Sequence, residues 1–377
     1  MKMLIRNSLS SFFFLIACPI LCVGDPAPFV AGLQINRFRN FIDIISLPEC
    51  TLLQSFPVDR DATHVGLKDR NTIFIPFRGN YERGYHQILE LSLLTKKTTL
   101  WARPLSATPG KIMVGANLYW VCFDHIIKPE KDLKNSRAQG LTDYQESGFE
   151  MYSKDQPAKL VKLLRLGEFH HVFEWCWNKE KTRIYLISSP FAVRDSKTQI
   201  RQFYKHWPAY IQVIDTQKQK VIQILNISNY IEDLSGLSLQ DGKLYICGIR
   251  DPNLKGLELP TSASRYLHVF DEKTLKHERS IEIDFFPAKI VGSDEDHRVF
   301  VLHKLAMKSS QTSIVVINTK TDQYDSKIEF PNIQKIIYGG KQRLFIITPE
   351  ELIVIDTKTL EVVKKIQKTY AFINSAY

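Results

Sequence analysis

The sequence predicts an all-β chain: a seven-bladed β-propeller of four-stranded blades, closed by pairing of its N- and C-terminal strands. Three observations carry this expectation. A strand–break–strand–turn–strand pattern recurs along the chain. A short polar side chain occupies the same turn position in every copy. The last copy lacks a second strand, and the mature N-terminus supplies one.

The repeat is plainest near the C-terminus. Arg343-Leu-Phe-Ile-Ile-Thr348 precedes Glu351-Leu-Ile-Val-Ile-Asp356-Thr-Lys-Thr-Leu-Glu-Val-Val-Lys-Lys-Ile366. Upstream copies pair Val299–Leu302 with Ser313–Asn318, Lys243–Cys247 with Tyr266–Asp271, and Arg183–Ile187 with Tyr210–Asp215. Earlier copies are Leu118–Cys122 with Phe149–Ser153, Thr72–Ile75 with Gln87–Ser92, and Phe41–Ser46. The turn positions are therefore Ser46, Ser92, Ser153, Asp215, Asp271, Asn318 and Asp356. Each side chain can accept a hydrogen bond from the turn backbone two residues on. Innermost strands precede these pairs: Ala62–Leu67, Lys111–Gly115, His171–Trp175, Asp233–Leu237, Ala288–Gly292 and Gln334–Tyr338. The seventh, Tyr370–Asn374, lies at the chain end, and Phe29–Ile35 is its expected partner.

This pattern resembles the YVTN-type (YncE-like) propellers of bacterial secreted proteins. The match is closest over Phe345–Ile366, with its run IVIDTKTLEVVKKI, and is convincing from about Tyr210 onward. The family's Tyr-Val-Thr-Asn tetrapeptide is absent; Phe345-Ile-Ile-Thr348 and Tyr245-Ile-Cys-Gly248 stand in its place. The resemblance implies a propeller fold and export.

Residues 1–24 read as a signal peptide and 25–377 as a single propeller domain. Lys2 and Arg6 precede an apolar run from Phe12 to Val23, interrupted by Pro19. A spanning helix needs about 20 apolar residues, so the run is too short. Two readings of the leader stand: cleavage after Gly24, or a lipid anchor on Cys18 in Leu15-Ile-Ala-Cys18. The first gives a periplasmic or secreted protein, the second a membrane-anchored lipoprotein. Cys50, Cys122, Cys176 and Cys247 remain, widely spaced, and read as buried free thiols.

The 377-residue chain is 44% hydrophobic and 24% charged, with a formal charge of +10. That composition is globular and excludes a disordered chain. Its basic balance suits an anionic surface and does not by itself establish nucleic-acid binding.

Turns between strands one and two, and three and four, are short and polar. Connections on the opposite face are long: 78–86, 123–148, 190–208, 250–265 and 304–311. Long loops are disproportionately functional. Arg78, Arg83 and Tyr85 occupy the first; Arg194, Arg201, Tyr204, Lys205 and Trp207 occupy the third. Cations beside aromatic rings suit an anionic or sugar-like ligand, or another protein. Single-stranded nucleic acid would use the same combination, without further support here. The competing reading is that the aromatic rings anchor a long loop.

Glu168, His170 and His171 enter an innermost strand beside Glu174 and should lie near the channel mouth. Neighbouring residues of a strand point to opposite faces, so one histidine would share a side with Phe173 and Trp175. No spacing supports a metal site. No nucleophile elbow, HExxH, P-loop or dinucleotide fingerprint occurs, and no cofactor is implied. The favoured function is an exported scaffold that binds a ligand or partner through its long-loop face. The alternative is a propeller enzyme of lactonase, lyase or amine-dehydrogenase-subunit type, with its site at the channel mouth.

Overall fold

The computed structural model describes residues 29–34, 40–46, 50, 52–58, 65–69, 71–77, 87–101, 107–126, 146–156, 159–168, 170–190, 192–194, 201–203, 208–254, 263–304, 311–367 and 372–376. Strands β1 (Phe29–Gln34), β2 (Asn40–Ser46) and β3 (Leu52–Val58) come first. Six four-stranded antiparallel sheets follow, each a meander. The first holds β4 (Gly66–Asp69), β5 (Thr72–Pro76), β6 (Ile88–Ser92) and β7 (Thr98–Trp101). The second holds β8 (Ala107–Val114), β9 (Leu118–Ile126), β10 (Glu146–Ser153) and β11 (Leu160–Glu168).

The third begins with β12 (His170–Trp177) and β13 (Arg183–Pro190). It is interrupted by a separate hairpin of β14 (Ala192–Arg194) and β15 (Arg201–Phe203), and resumes with β16 (Tyr210–Asp215) and β17 (Lys220–Asn226). Then come β18 (Glu232–Gln240), β19 (Lys243–Arg250), β20 (Tyr266–Asp271) and β21 (His277–Glu282). Next are β22 (Pro287–Ser293), β23 (Arg298–Lys304), β24 (Gln311–Asn318) and β25 (Gln323–Pro331). The sixth holds β26 (Lys335–Tyr338), β27 (Arg343–Ile347), β28 (Glu351–Asp356) and β29 (Val362–Gln367). Strand β30 (Phe372–Ala376) joins the opening strands in a sheet ordered β3-β2-β1-β30. The register runs from Val30↔Ala376 to Leu33↔Phe372.

This is an all-β propeller with four-stranded blades. Most of the described second and third strands are buried on both faces, which is why these strands read as near-continuous apolar runs; β27 and β28, for example, bury Leu344–Ile347 and Leu352–Ile355. The core lies between neighbouring sheets. Tyr185, Ile187 and Val213 pack against Leu234, Leu244 and Phe270. Ile42 and Ile44 of β2 meet Val65, Ile73 and Ile75, while Ile45 meets Phe345, Leu352 and Val354. The sheet built from both chain ends is thus packed on both sides.

The expected turn chemistry is present at six of the seven positions, and the turn after Ser46 lies outside the described residues. Asp215 accepts from the backbone N–H of Gln217 and Lys218 at 3.0 and 2.8 Å. Asp271 does so from Lys273 and Thr274, Asn318 from Lys320 and Thr321, and Asp356 from Lys358 and Thr359. Ser153 accepts from Asp155, and Ser92 from Thr95 one residue further on. Four residues after the turn anchor, Cys50, Lys96, Gln219, Leu275, Asp322 and Leu360 all adopt positive φ, between 51° and 64°. A bulge beside the turn requires one left-handed residue there, and none of the six is glycine.

Neighbouring sheets are also tied by polar latches at the short-turn end. Tyr185 Oη donates to Glu272 at 3.0 Å, and Tyr245 Oη donates to Asp322 at 2.7 Å. The hydroxyls of Thr319 and Thr357 donate to Asp241 and Asp296 of the preceding sheets. Among the described residues no helix is long and apolar enough to cross a membrane. Residues 1–24, including Cys18, lie outside the described residues. Cys50, Cys122 and Cys247 are buried and Cys176 is partly buried, and no disulfide joins these four cysteines to one another.

Candidate functional site

The innermost strands β8, β12, β18, β22 and β26 surround a central cavity of about 510 Å³. Its charged lining comes from four of them: Lys111 on β8, Glu174 on β12, Lys289 on β22 and Lys335 on β26. The register explains why they meet. Each immediately precedes a buried residue: Ile112, Trp175, Ile290 or Ile336. Those four stand opposite Val121, Leu186, Val301 and Ile346, equivalent positions of the second strands. The four charged residues therefore share one tier of the channel. Ser238, Gln240 and Tyr338 add polar groups, while Phe173, Leu237, Leu239, Val291 and Ile337 give apolar wall.

Glu174 is the hub. Its carboxylate accepts from Lys111 Nζ at 3.4 Å and pairs with Lys289, which arrives from two sheets away. Lys111 also lies 5.6 Å from the centre of the Trp175 ring, a cation–π distance. The Lys111 side chain is 44% accessible and borders the channel space.

Burial shapes these ammonium groups. It lowers the Lys111 pKa. It takes Lys289 well below the ordinary lysine value, with the charges of Lys111 and Lys335 adding to the effect. Lys335 falls to about 8 through burial and then repulsion from Lys111. Like charges held together in an enclosed space disfavour their own protonated forms. Burial pushes the Cys176 thiol up to about 12, so it is an inert neighbour rather than a nucleophile.

The residues expected from sequence fall in three groups. Arg78, Arg83, Tyr85, Tyr204, Lys205 and Trp207 lie outside the described residues. Arg194 and Arg201 are on the β14–β15 hairpin and stand directly opposite each other in its register. That hairpin occupies the connection between β13 and β16, on the face of the long loops. Glu168 ends β11 opposite Glu146, and His170 opens β12 opposite Pro190. The partly buried ring of His171 packs edge-on against Phe173, with centroids 4.6 Å apart.

Alternation along β12 does not hold as the sequence suggests. The register shifts between Val172 and Glu174, and Phe173, Glu174, Trp175 and Cys176 all border the cavity. A bulge adds one residue to one strand and re-aims its side chains. The channel lysines were missed for a related reason. Aligning the innermost strands puts Lys111, Lys289 and Lys335 in one column, but a charged strand residue ordinarily reads as a solvated face. Asp233, near the start of the innermost strand β18, pairs with Arg250 at 2.8 Å. Among the described residues no group of three or more His, Cys, Asp or Glu side chains is placed to hold a metal ion.

No family model matches the sequence, and no curated protein matches it. Solved structures do resemble the fold. A dihydro-heme d1 dehydrogenase, NirN, in complex with DHE has 14% identity and a TM-score of 0.56, over 93% of this chain and 75% of that one. A functionally unknown protein from Desulfotomaculum acetoxidans DSM 771 has 9% identity and a TM-score of 0.57, over 92% and 99% of the two chains. An uncharacterized protein from Listeria monocytogenes EGD-e has 9% identity and a TM-score of 0.50, over 82% and 84%. At these identities the likeness is one of fold, and the channel side chains must be argued from this chain alone.

Proposed function

We propose that the chain is an exported, closed seven-bladed propeller acting as a binding scaffold, with its ligand held in the central channel. One observation carries the reading: separate sheets deliver Lys111, Glu174, Lys289 and Lys335 to one tier of a cavity of about 510 Å³. A concave site of that volume, where charged and polar groups converge between stretches of apolar wall, is a common setting for ligand binding. Pairing of β1 with β30, added to six sheets of local strands, supports the closed seven-bladed ring. Lys2, Arg6 and the apolar run to Val23 support export to the periplasm or beyond.

The long-connection face supplies the outer contacts in this reading. Arg194 and Arg201 face each other across a hairpin there, and Arg78, Arg83, Tyr85, Tyr204, Lys205 and Trp207 belong to the same connections. Glu168, His170 and His171 form the rim where β12 begins. Lysines gathered around one carboxylate favour binding over the enzyme alternative, whose chemistry would call for converging carboxylate or imidazole groups.

A thermal-shift panel of anionic, sugar-like and neutral small molecules tests this on three proteins. They are the unaltered chain, Val291→Phe, which narrows the channel, and the double variant Arg194→Ala with Arg201→Ala. The expected result is a compound that stabilises the unaltered chain and loses its effect in Val291→Phe, with a smaller loss in the double variant. Stabilising compounds that all ignore Val291→Phe would place the site elsewhere.

A further inference from the structure

We propose that Lys289 is the nucleophile of a reversible covalent site, which captures a small carbonyl compound in the channel as an imine while Glu174 carries the protons. This rests on the channel-binding reading above and names the chemical class of the ligand.

The placement of the two side chains carries the inference. Lys289 lines the cavity of about 510 Å³, and 27% of its side chain remains accessible, so it is within reach of a ligand there. Glu174 pairs with Lys289 through Oε2 and accepts from Lys111 Nζ through Oε1 at 3.4 Å. An amine beside a carboxylate that is itself held by a further group is the geometry of an activated nucleophile and its base. Between β12 and β22 stands β18, whose Leu237, Ser238 and Leu239 line the same cavity. The pair therefore meets over channel space. The latches between neighbouring sheets, such as Tyr245 with Asp322, sit instead at the short-turn end.

The chemistry follows from the surroundings. Only a neutral amine attacks a carbonyl carbon, and burial takes Lys289 well below the ordinary lysine value, with Lys111 and Lys335 adding to the effect. Nζ adds to the carbonyl carbon, forming a C–N bond as the carbonyl π electrons move to oxygen. Glu174 takes a proton from nitrogen and returns it to that oxygen. The oxygen then leaves as water with both amine protons, and a C=N bond remains. No oxidant or reductant is consumed. The apolar wall of Leu237, Ile290, Val291, Ile336 and Ile337 opposes the return of that water and so favours the imine.

Reductive trapping with sodium cyanoborohydride on the full chain provides the test, with pyruvate and benzaldehyde as separate probes. Mass spectrometry should find one label per chain at short times for at least one probe, and peptide mapping should place it on Lys289. An ordinary lysine is about 0.1% neutral near pH 7.5, and each unit of lowering raises that about tenfold. Lys289 should therefore be labelled at least about tenfold faster than the exposed Lys276. Lys289→Arg keeps a cation beside Glu174 but cannot form an imine, so the label should disappear with an unchanged circular dichroism spectrum. Glu174→Gln should slow labelling of Lys289 about tenfold or more. Lys276→Met should leave it unchanged. Mapping on the unaltered chain needs no variant, so a misfolded variant leaves the test intact. The two probes distinguish an oxo acid from a neutral carbonyl ligand.

Labels spread over exposed lysines without preference for Lys289 would overturn the proposal. So would labelling of Lys111 or Lys335 in its place, or an unchanged rate in Glu174→Gln. If neither probe labels Lys289 while a compound still shows Val291→Phe-sensitive stabilisation, the covalent step falls and the binding reading stands. If neither behaviour occurs, both fall.

Discussion

Lys335 should cost the folded protein stability, and replacing it with methionine should recover that cost. Its pKa is about 8, against 10.5 for an ordinary lysine. At about 1.36 kcal/mol per pH unit this difference amounts to about 3 kcal/mol. Channel water screens part of it, so a gain of about 2 kcal/mol is expected at pH 7. Methionine keeps the apolar stem and most of the volume, so packing against the channel wall is retained. The sign follows from proton linkage. Between pH 8 and 10.5 the unfolded chain holds a proton that folded Lys335 has released, so the stability of the unaltered protein rises across that window. The advantage of Lys335→Met should therefore be full below pH 8 and vanish by about pH 10.5. Urea denaturation of both proteins at several pH values reads this directly. A variant no more stable than the parent at pH 7, or a gap that stays constant through the window, would refute the argument. A group that weakens the fold yet sits beside two more of its kind is the usual mark of a residue kept for a task.

Three further outcomes are expected. Burial, with His277 adding, lowers His268 to about 4, so the protein should lose up to about 3 kcal/mol as pH falls from 6.5 to 4; His268→Gln should flatten that part of the urea profile. Asp271 accepts from Lys273 N, Thr274 N and Thr274 Oγ1, so Asp271→Ala should cost about 1–2 kcal/mol, with Asp271→Asn recovering most of it in the same assay. Deleting residues 370–377 removes β30 and leaves one edge of β1 unpaired; calorimetry should show a lower, broader transition, and an unchanged midpoint would argue against a structural role for this pairing.

The parts of the fold legible in the sequence were those governed by local chemistry. Asp215, Asp271, Asn318 and Asp356 announce their turns because a short acceptor side chain satisfies backbone N–H groups within three residues. Runs such as Phe345–Ile347 and Leu352–Ile355 announce strands buried on both faces. What escaped depends on distant residues meeting. The β14–β15 hairpin is three residues long on each side, too short for periodicity to show. The Val172–Glu174 bulge changes direction without a proline or glycine to mark it. Lys111, Glu174, Lys289 and Lys335 each look like ordinary solvated strand residues until several sheets bring them together. The latches from Tyr185 and Tyr245 likewise join residues roughly eighty positions apart.

The sheet that unites β1 with β30 imposes an order in time. Translation delivers β1, β2 and β3 before the six intervening sheets, and their partner β30 only after them. The six other sheets are local meanders and can form as they emerge. The opening strands must wait, with β1 offering a row of unanswered amide and carbonyl groups to any passing strand. Such long-range pairing is intrinsically slow, because the intervening chain must first be brought to closure. The seam is therefore the last joint made during biogenesis and the point at which a stalled or truncated chain is most open to aggregation. If the chain is threaded across a membrane, holding it unfolded until β30 has crossed would serve the same end.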